Sequence, residues 1–309
     1  MEIIADSLDF QLNRETAIAI GKFDGVHIGH RRLLEEILAK KREGLEALVF
    51  TFDISPAVLF GAGDGKVLTT REEKRRIFRE LGVDVLVEFP MTMETAAIEP
   101  EDFAGRYLSG ALCGRFIAAG EDLSFGRYGR GNAELLRSLA DELGFEVRTI
   151  PKVKLQDAEV SSTFIRSMVE QGRMQQTKDF LGEPYQVTGR IVHGHHMGHS
   201  LGFPTINILP PEEKLLPPFG VYYSKVRVGE LVCRGITNIG KKPTVGGGER
   251  TGVETFLYDF EGDLYEQEAE VYLHEFLRPE HRFESLEALK EQIARDVHEG
   301  RKYAAENQR

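Results

Sequence analysis

The chain has 309 residues, of which 41% are hydrophobic and 29% charged, enough apolar material for packed cores in two domains. Its 39 Lys plus Arg against 50 Asp plus Glu give a formal net charge of -11, which argues against a nucleic-acid or anionic-membrane protein held by bulk electrostatics. No apolar run approaches the roughly 20 residues of a membrane helix, and the start, MEIIADSLDF, lacks the marks of a secretion signal. Cys113 and Cys233 stand far apart without CxxC spacing, so a cytoplasmic globular enzyme is expected; a weak homo-oligomer is compatible with the sequence, which leaves the oligomeric state open.

In chain order, AIAIGKF, LEALVFTF, VDVLVEF, RFIAAGE and FEVRTI read as buried strands. Between them HRRLLEEILAKKRE, REEKRRIFRELG, PEDFAGRYLSGAL and NAELLRSLADELG carry apolar residues at helical spacing, and Thr70 with Glu73 reads as a capping box. This alternation predicts an α/β doubly wound parallel sheet, whose ligands sit at the carboxyl ends of the strands. After Pro184 the rhythm changes. YQVTGRIVHG, GVYYSKVRVGE, LVCRGITNIG, GVETFLYDF and EQEAEVYLHEF are strand-like with turns between them. A helical pattern returns at Ser285, with Leu286, Leu289, Ile293 and Val297 on one face. The second half is expected to be a small antiparallel β-barrel with a C-terminal helix. LGEPY forms a short join, which places the domains at 1–184 and 185–309, the second expected to fold alone.

The stretch Gly21-Lys22-Phe23-Asp24-Gly25-Val26-His27-Ile28-Gly29-His30 follows the first strand of that alternation and opens its first helix. Unpaired N–H groups at a helix start form a phosphate cradle. Gly25 and Gly29 allow close approach, and His27 and His30 are placed to face one phosphate. The competing reading, capping or surface histidines, is weakened by two of them framing a glycine at this position. GKFDGVHIGH resembles the H-x-G-H signature of the nucleotidylyltransferase superfamily, in the form used by bacterial FAD synthetases. Ser161-Ser162-Thr163-Phe164-Ile165-Arg166 resembles that superfamily's S-S-T-x-x-R element, and Gly120-Glu121-Asp122-Leu123-Ser124-Phe125-Gly126 its loop after a strand. Taken alone, SST is a common helix cap and Asp122 a turn residue. The resemblance implies nucleotide contacts from Gly21, Phe23, Asp24, Gly25, Gly29, Asp122, Ser161, Ser162 and Thr163, a flavin contact from Phe125, and catalytic roles for His27, His30 and Arg166. One departure is Ser55, in Thr51-Phe52-Asp53-Ile54-Ser55-Pro56, where the family commonly has histidine.

The second half carries Gly198-His199-Ser200-Leu201-Gly202-Phe203-Pro204-Thr205-Ile206-Asn207, which resembles the signature of riboflavin kinases. Agreement continues through Asn238-Ile239-Gly240 and Val253-Glu254-Thr255, so nearly the whole chain is similar to the bifunctional bacterial riboflavin kinase/FAD synthetase family. The resemblance implies a six-stranded barrel. Thr205 and Asn207 offer hard oxygens for Mg²⁺, and Glu254 is the candidate general base. Gly198, His199 and Gly202 are implied to bind nucleotide, and Asn238 flavin. His199 stands where the family usually has arginine, and Ile206 where it has alanine. His193, His195, His196 and His199 do not by spacing alone build a tetrahedral metal site, and they lie in the expected nucleotide loop.

The expected activities are phosphorylation of riboflavin by ATP to FMN and ADP, and adenylylation of FMN to FAD with release of pyrophosphate. Mg²⁺ is the expected cofactor, with neither nucleic acid nor membrane as partner. One alternative is an adenylyltransferase for another phosphorylated cofactor precursor, against which the second module argues. Another is an active adenylyltransferase whose impaired kinase module, suggested by His199 and Ser55, serves as a flavin-binding regulator.

Overall fold

The computed structural model describes residues 1–193, 203, 205–243 and 249–306. The chain divides into two compact units, Met1–Ser162 and Thr163–Arg309.

In the first unit, six parallel strands form one sheet. They are β1 (Glu2–Ala5), β2 (Thr16–Ile20), β3 (Glu46–Phe52), β4 (Val85–Phe89), β5 (Gly114–Gly120) and β6 (Glu146–Ile150), in the order β1-β4-β3-β2-β5-β6. Strands β2 and β4 are buried throughout, as their uninterrupted apolar runs require when helices cover both faces. The helices are α1 (Ile28–Ala39), α2 (Pro56–Leu59), α3 (Arg71–Glu80), α4 (Pro100–Phe103), which continues through a π-helical stretch Ala104–Ala111, and α5 (Ala133–Leu143). One core gathers Ile18, Phe50, Val87, Phe103 and Leu136, and the other Ala19, Leu34, Val49, Phe78 and Phe116. Alternate residues of the same strands thus feed opposite faces. The expected capping box is present: Thr70 Oγ1 accepts from the Glu73 N–H at 3.2 Å, and the Glu73 carboxylate accepts from the Thr70 N–H at 2.9 Å. A hairpin follows β6, with β7 (Lys154–Leu155) and β8 (Ala158–Glu159) joined through Gln156 and Asp157, both at positive φ.

The second unit opens with α6 (Ser162–Glu170, its first residue still in the first unit), whose start the Ser161-Ser162-Thr163 cap marks in the sequence, and α7 (Met174–Leu181), a helix absent from the sequence reading. Six antiparallel strands then close into a barrel, β10-β13-β12-β11-β14-β9. They are β9 (Tyr185–Val192), β10 (Thr205–Ile208), β11 (Gly220–Val228), β12 (Leu231–Pro243), β13 (Glu249–Leu257) and β14 (Glu268–Pro279). Inside the wall, Ser224, Thr237 and Thr255 are fully buried and linked hydroxyl to hydroxyl at 2.6 and 2.8 Å, so their burial leaves no hydroxyl unsatisfied. Helix α7 packs on β9 and β14, burying Phe180 and Leu181. The terminal helix, α8 (Leu286–Glu306), packs Val297, Tyr303 and Ala304 against Val221, Tyr223 and Ile236.

Candidate active sites

The loop after the central strand β2 is held in an uncommon backbone path. Phe23, Gly25 and Val26 all take positive φ, at 51°, 90° and 43°. For Phe23 and Val26 this costs conformational energy, which persists only when surroundings over-determine it. Those surroundings are visible. Phe23 and Val26 are fully buried, with the Phe23 ring edge-on to Phe78 and 5.0 Å from the His30 ring. Asp24 Oδ1 accepts from the Leu68 N–H at 2.7 Å and the Thr69 N–H at 3.4 Å. The Gly25 N–H donates to Thr69 Oγ1 at 2.8 Å, and Ser162 Oγ donates to the Asp24 carbonyl at 2.8 Å.

His27 caps helix α1. Its Nδ1 accepts from the His30 N–H at 3.2 Å, which leaves Nε2 as the protonated nitrogen of the neutral ring. The His27 and His30 rings stack at 3.6 Å, 13° from parallel. Gly29 belongs between them because a Cβ there would lie 3.2 Å from the His27 ring. Burial pushes the His27 pKa down to about 4, against weaker opposing effects that include the Asp122 charge. Burial also drives His30 well below the usual histidine range, helped by His27 and Lys74. Both imidazoles are therefore neutral near pH 7. Among the described residues the buried His30 Nδ1 has no hydrogen-bond partner.

The first unit thus brings together Gly21, Phe23, Asp24, Gly25, His27, Gly29, His30 and Ser162. Asp122 is exposed and within electrostatic reach of His27, with Lys152 at 3.9 Å. Ser161 directly precedes α6, and Thr163 and Arg166 lie on that helix in the second unit. Phe125 sits in the core, 3% exposed and packed on Phe103, because its backbone pairs with Gly131 and turns the ring inward. Ser55 caps α2, accepting from the Val58 N–H at 3.4 Å. Sequence reasoning missed Thr69, which no local pattern singles out, and the exposed apolar Ile54, Phe60 and Met93 beyond the carboxyl ends of β3 and β4.

In the barrel, Asn207 on β10 stands directly opposite Glu254 on β13, and Glu254 opposite Asn238 on β12. Thr255 faces the buried interior, so alternation turns Glu254 to the outer face. Thr205, two residues from Asn207, shares that face and donates its hydroxyl to Glu254 Oε1 at 2.6 Å. Donating that proton leaves the Thr205 lone pairs able to bind a cation. Thr205, Asn207 and Glu254 therefore form a set of hard oxygen donors that suits Mg²⁺. Asn238 Nδ2 donates to Glu280 Oε1 at 3.1 Å, which orients the amide so that its oxygen is the acceptor on offer. Glu280 carried no signal in the sequence. Ile206 stands opposite Thr255, on the interior-facing side of β10. Gly198, His199 and Gly202, with His195 and His196, lie outside the described residues. His193 packs against the Tyr265 ring. Among the described residues no group of three or more His, Cys, Asp or Glu could hold a metal ion, and no helix is long and apolar enough to cross a membrane.

Comparison with known proteins matches residues 9–164 to the FAD synthetase family and residues 181–304 to the riboflavin kinase family. A bifunctional riboflavin kinase/FMN adenylyltransferase of Listeria monocytogenes is 34% identical, over 93% of this chain and 92% of its own. That of Escherichia coli K12 is 36% identical over 90% of each. A solved structure described as a macrolide-efflux protein from Streptococcus pneumoniae superposes with a TM-score of 0.86 at 26% identity, covering 99% of both chains. The two unlike units, each with its own arrangement of polar groups, have these relatives along nearly their whole length, and the chain belongs to the bifunctional riboflavin kinase/FMN adenylyltransferase family.

Proposed function

We infer that this chain makes flavin cofactors in two ATP-dependent steps, phosphorylating riboflavin to FMN in the barrel and adenylylating FMN to FAD in the parallel-sheet unit. The observation that carries the reading is the pairing of a buried His-x-Gly-His loop at one sheet's carboxyl edge with a Thr205–Glu254–Asn207 oxygen cluster on the barrel. In the kinase step, Glu254 accepts the proton of the ribityl 5′-hydroxyl as that oxygen attacks the γ-phosphorus of ATP, and ADP leaves. Thr205 and Asn207 are the residues that would hold Mg²⁺, which when bound neutralises phosphate charge and aligns the oxygens. Asn238, its amide oriented by Glu280, accepts a hydrogen bond from the flavin substrate. Gly198, His199 and Gly202 belong to the nucleotide loop.

In the second step the FMN phosphate is itself the nucleophile on the α-phosphorus, so no covalent enzyme intermediate is needed and pyrophosphate leaves. The neutral His27 and His30 act as aligned N–H donors, and the α1 start with Ser161 and Ser162 receives phosphate oxygens; from the S-S-T-x-x-R resemblance Thr163 is read as a nucleotide contact and Arg166 as a fixed cation. Asp122 contacts the nucleotide, and the apolar surface of Ile54, Phe60 and Met93 suits a flavin ring. Functional boundaries near residue 184 and a cytoplasmic location, in keeping with two free cysteines, complete the reading. The test is incubation of the purified protein with riboflavin, ATP and Mg²⁺, followed by chromatography of the flavins. FMN and then FAD should appear, and a chelator should stop FMN formation. Binding of flavin without ADP or pyrophosphate would instead mark a regulator.

A further inference from the structure

The loop carrying His27 and His30 is fastened to helix α3, and that helix brings a cation to it. Asp24 and Gly25 bond to Leu68 and Thr69, immediately before the α3 cap Thr70. Phe78 on α3 packs edge-on against Phe23, whose other neighbour is the His30 ring. Lys74 lies one helical turn before Phe78, on the same face, and helical side chains lean toward the N-terminus. Lys74 therefore projects toward the strands' carboxyl edge, where the His-x-Gly-His loop stands, close enough for its charge to act on His30.

The carboxylates around Lys74 are already committed. Glu88, 2% exposed, accepts from Arg71 at 2.6 Å and from Arg75 at 2.9 Å. Asp53 Oδ1 accepts from the Ile54 and Met91 N–H groups at 2.7 and 2.8 Å. Asp24 Oδ1 receives the Leu68 N–H. Among the described residues the Lys74 ammonium makes neither a hydrogen bond nor an ion pair, although its side chain is half-buried. Crowding by neighbouring atoms lowers its pKa, with Asp24, Glu88 and Asp53 opposing. A desolvated cation without a partner is costly unless an anion arrives to meet it.

We propose that Lys74 is a phosphate-binding residue of the adenylyl-transfer site, its ammonium hydrogen-bonding an oxygen of either the FMN phosphate or the departing pyrophosphate. The proposal rests on the FMN-adenylylating reading of this unit. Its chemistry is charge-assisted hydrogen bonding to a group whose negative charge rises or redistributes as the bond to the α-phosphorus changes.

The experiment compares Lys74→Gln and Lys74→Arg with the parent protein, measuring FAD formed from supplied FMN and, separately, FMN formed from riboflavin. A parent that makes no FAD overturns the adenylylation reading itself. Given an active parent, Lys74→Gln should lose about 10²–10³-fold in FAD formation, the scale of one lost transition-state donor. Lys74→Arg should retain more, and riboflavin phosphorylation should be unchanged in both. A raised KM for FMN with ATP unaffected assigns the FMN phosphate; a lowered kcat with weakened inhibition by inorganic pyrophosphate assigns the leaving group. Parental kcat and KM in Lys74→Gln would overturn the proposal. A second measurement needs no variant: acetylation of Lys74 in the parent, read by mass spectrometry, should be slowed by FMN or by pyrophosphate, and protection by neither would also refute it.

Discussion

The anchoring of the His-x-Gly-His loop can be tested through Asp24→Ala. Asp24 Oδ1 receives the Leu68 N–H at 2.7 Å, and Leu68 is fully buried, so the alanine variant removes a charged acceptor from a place that water does not reach. The Thr69 N–H at 3.4 Å adds little. Loss of a buried hydrogen bond to a charged acceptor is worth about 2–3 kcal/mol. For a unit the size of Met1–Ser162 that corresponds to a fall in melting temperature of roughly 4–12 °C. Asp24→Asn keeps an acceptor oxygen at the same place and should lose less than half as much. Function should suffer more than stability, because Phe23, Gly25 and Val26 hold their positive φ only while the loop is pinned, and about 1 Å of drift at His27 can cost 10²-fold in rate. Scanning calorimetry with separate assays of FAD and FMN formation measures both effects, the barrel reaction serving as internal control. If Asp24→Ala melts with the parent and makes FAD at the parental rate, the loop is not held by this carboxylate and the argument fails.

In the barrel, Glu254→Gln should lower FMN formation about 10²–10⁴-fold while sparing FAD synthesis from supplied FMN; Thr205→Val, which loses the 2.6 Å bond to Glu254, should shift the Mg²⁺ titration upward as well. Acid should destabilise the first unit in a definite window. The His27 pKa is about 4 folded against 6.5 unfolded, so between those values the unfolded chain binds more protons and stability falls as pH falls. One such group costs about 1.4 kcal/mol per pH unit, near 3 kcal/mol over the window, and His30 acts in the same direction; urea unfolding at pH 7, 6 and 5 would expose a flat response as a contradiction. A fragment from Thr163 should fold by circular dichroism and bind riboflavin, whereas one from Tyr185 lacks α7 with its buried Phe180 and Leu181 and should be less stable by about 3 kcal/mol or more. Equal melting of the two fragments would deny α7 its place in the barrel's support.

The parallel strands and most barrel strands could be read from the sequence because burial on both faces, or on alternate residues, writes itself into local composition. The elements that escaped are those whose stability is not local. Strand β1 is a four-residue edge strand completed only by pairing with β4. Helix α7 is short, follows α6 after Gln171, Gly172 and Arg173, and gains its support from packing. The same division runs through the sites. His27 and His30 stood out because a helix cap and its neighbour one turn on are a local pattern. Thr69 and Lys74 did not, since their link to the loop crosses 44 residues, as in the Gly25–Thr69 bond. Glu280 meets Asn238 across 42 residues for a similar reason. The burial of Phe125 has a similar origin, since it is the pairing of its backbone with Gly131 that folds the ring into the core.

The geometry of the two histidines also limits what they can do. Rings stacked at 3.6 Å cannot both become imidazolium cations without strong repulsion, and each is already shifted toward the neutral form. They can direct N–H groups at a phosphate but cannot neutralise it. The positive charge that a polyphosphate demands must come from groups whose ionisation survives burial. Arginine meets that condition best among side chains, because its guanidinium stays charged. An ammonium left unpaired near the loop, as at Lys74, gains most when the anion is present and least when it is absent. In the proposed reading, neutral donors at the centre of the first unit's site and an ammonium from α3 beside them would bind the charged substrate without storing a cluster of buried charges in the protein alone.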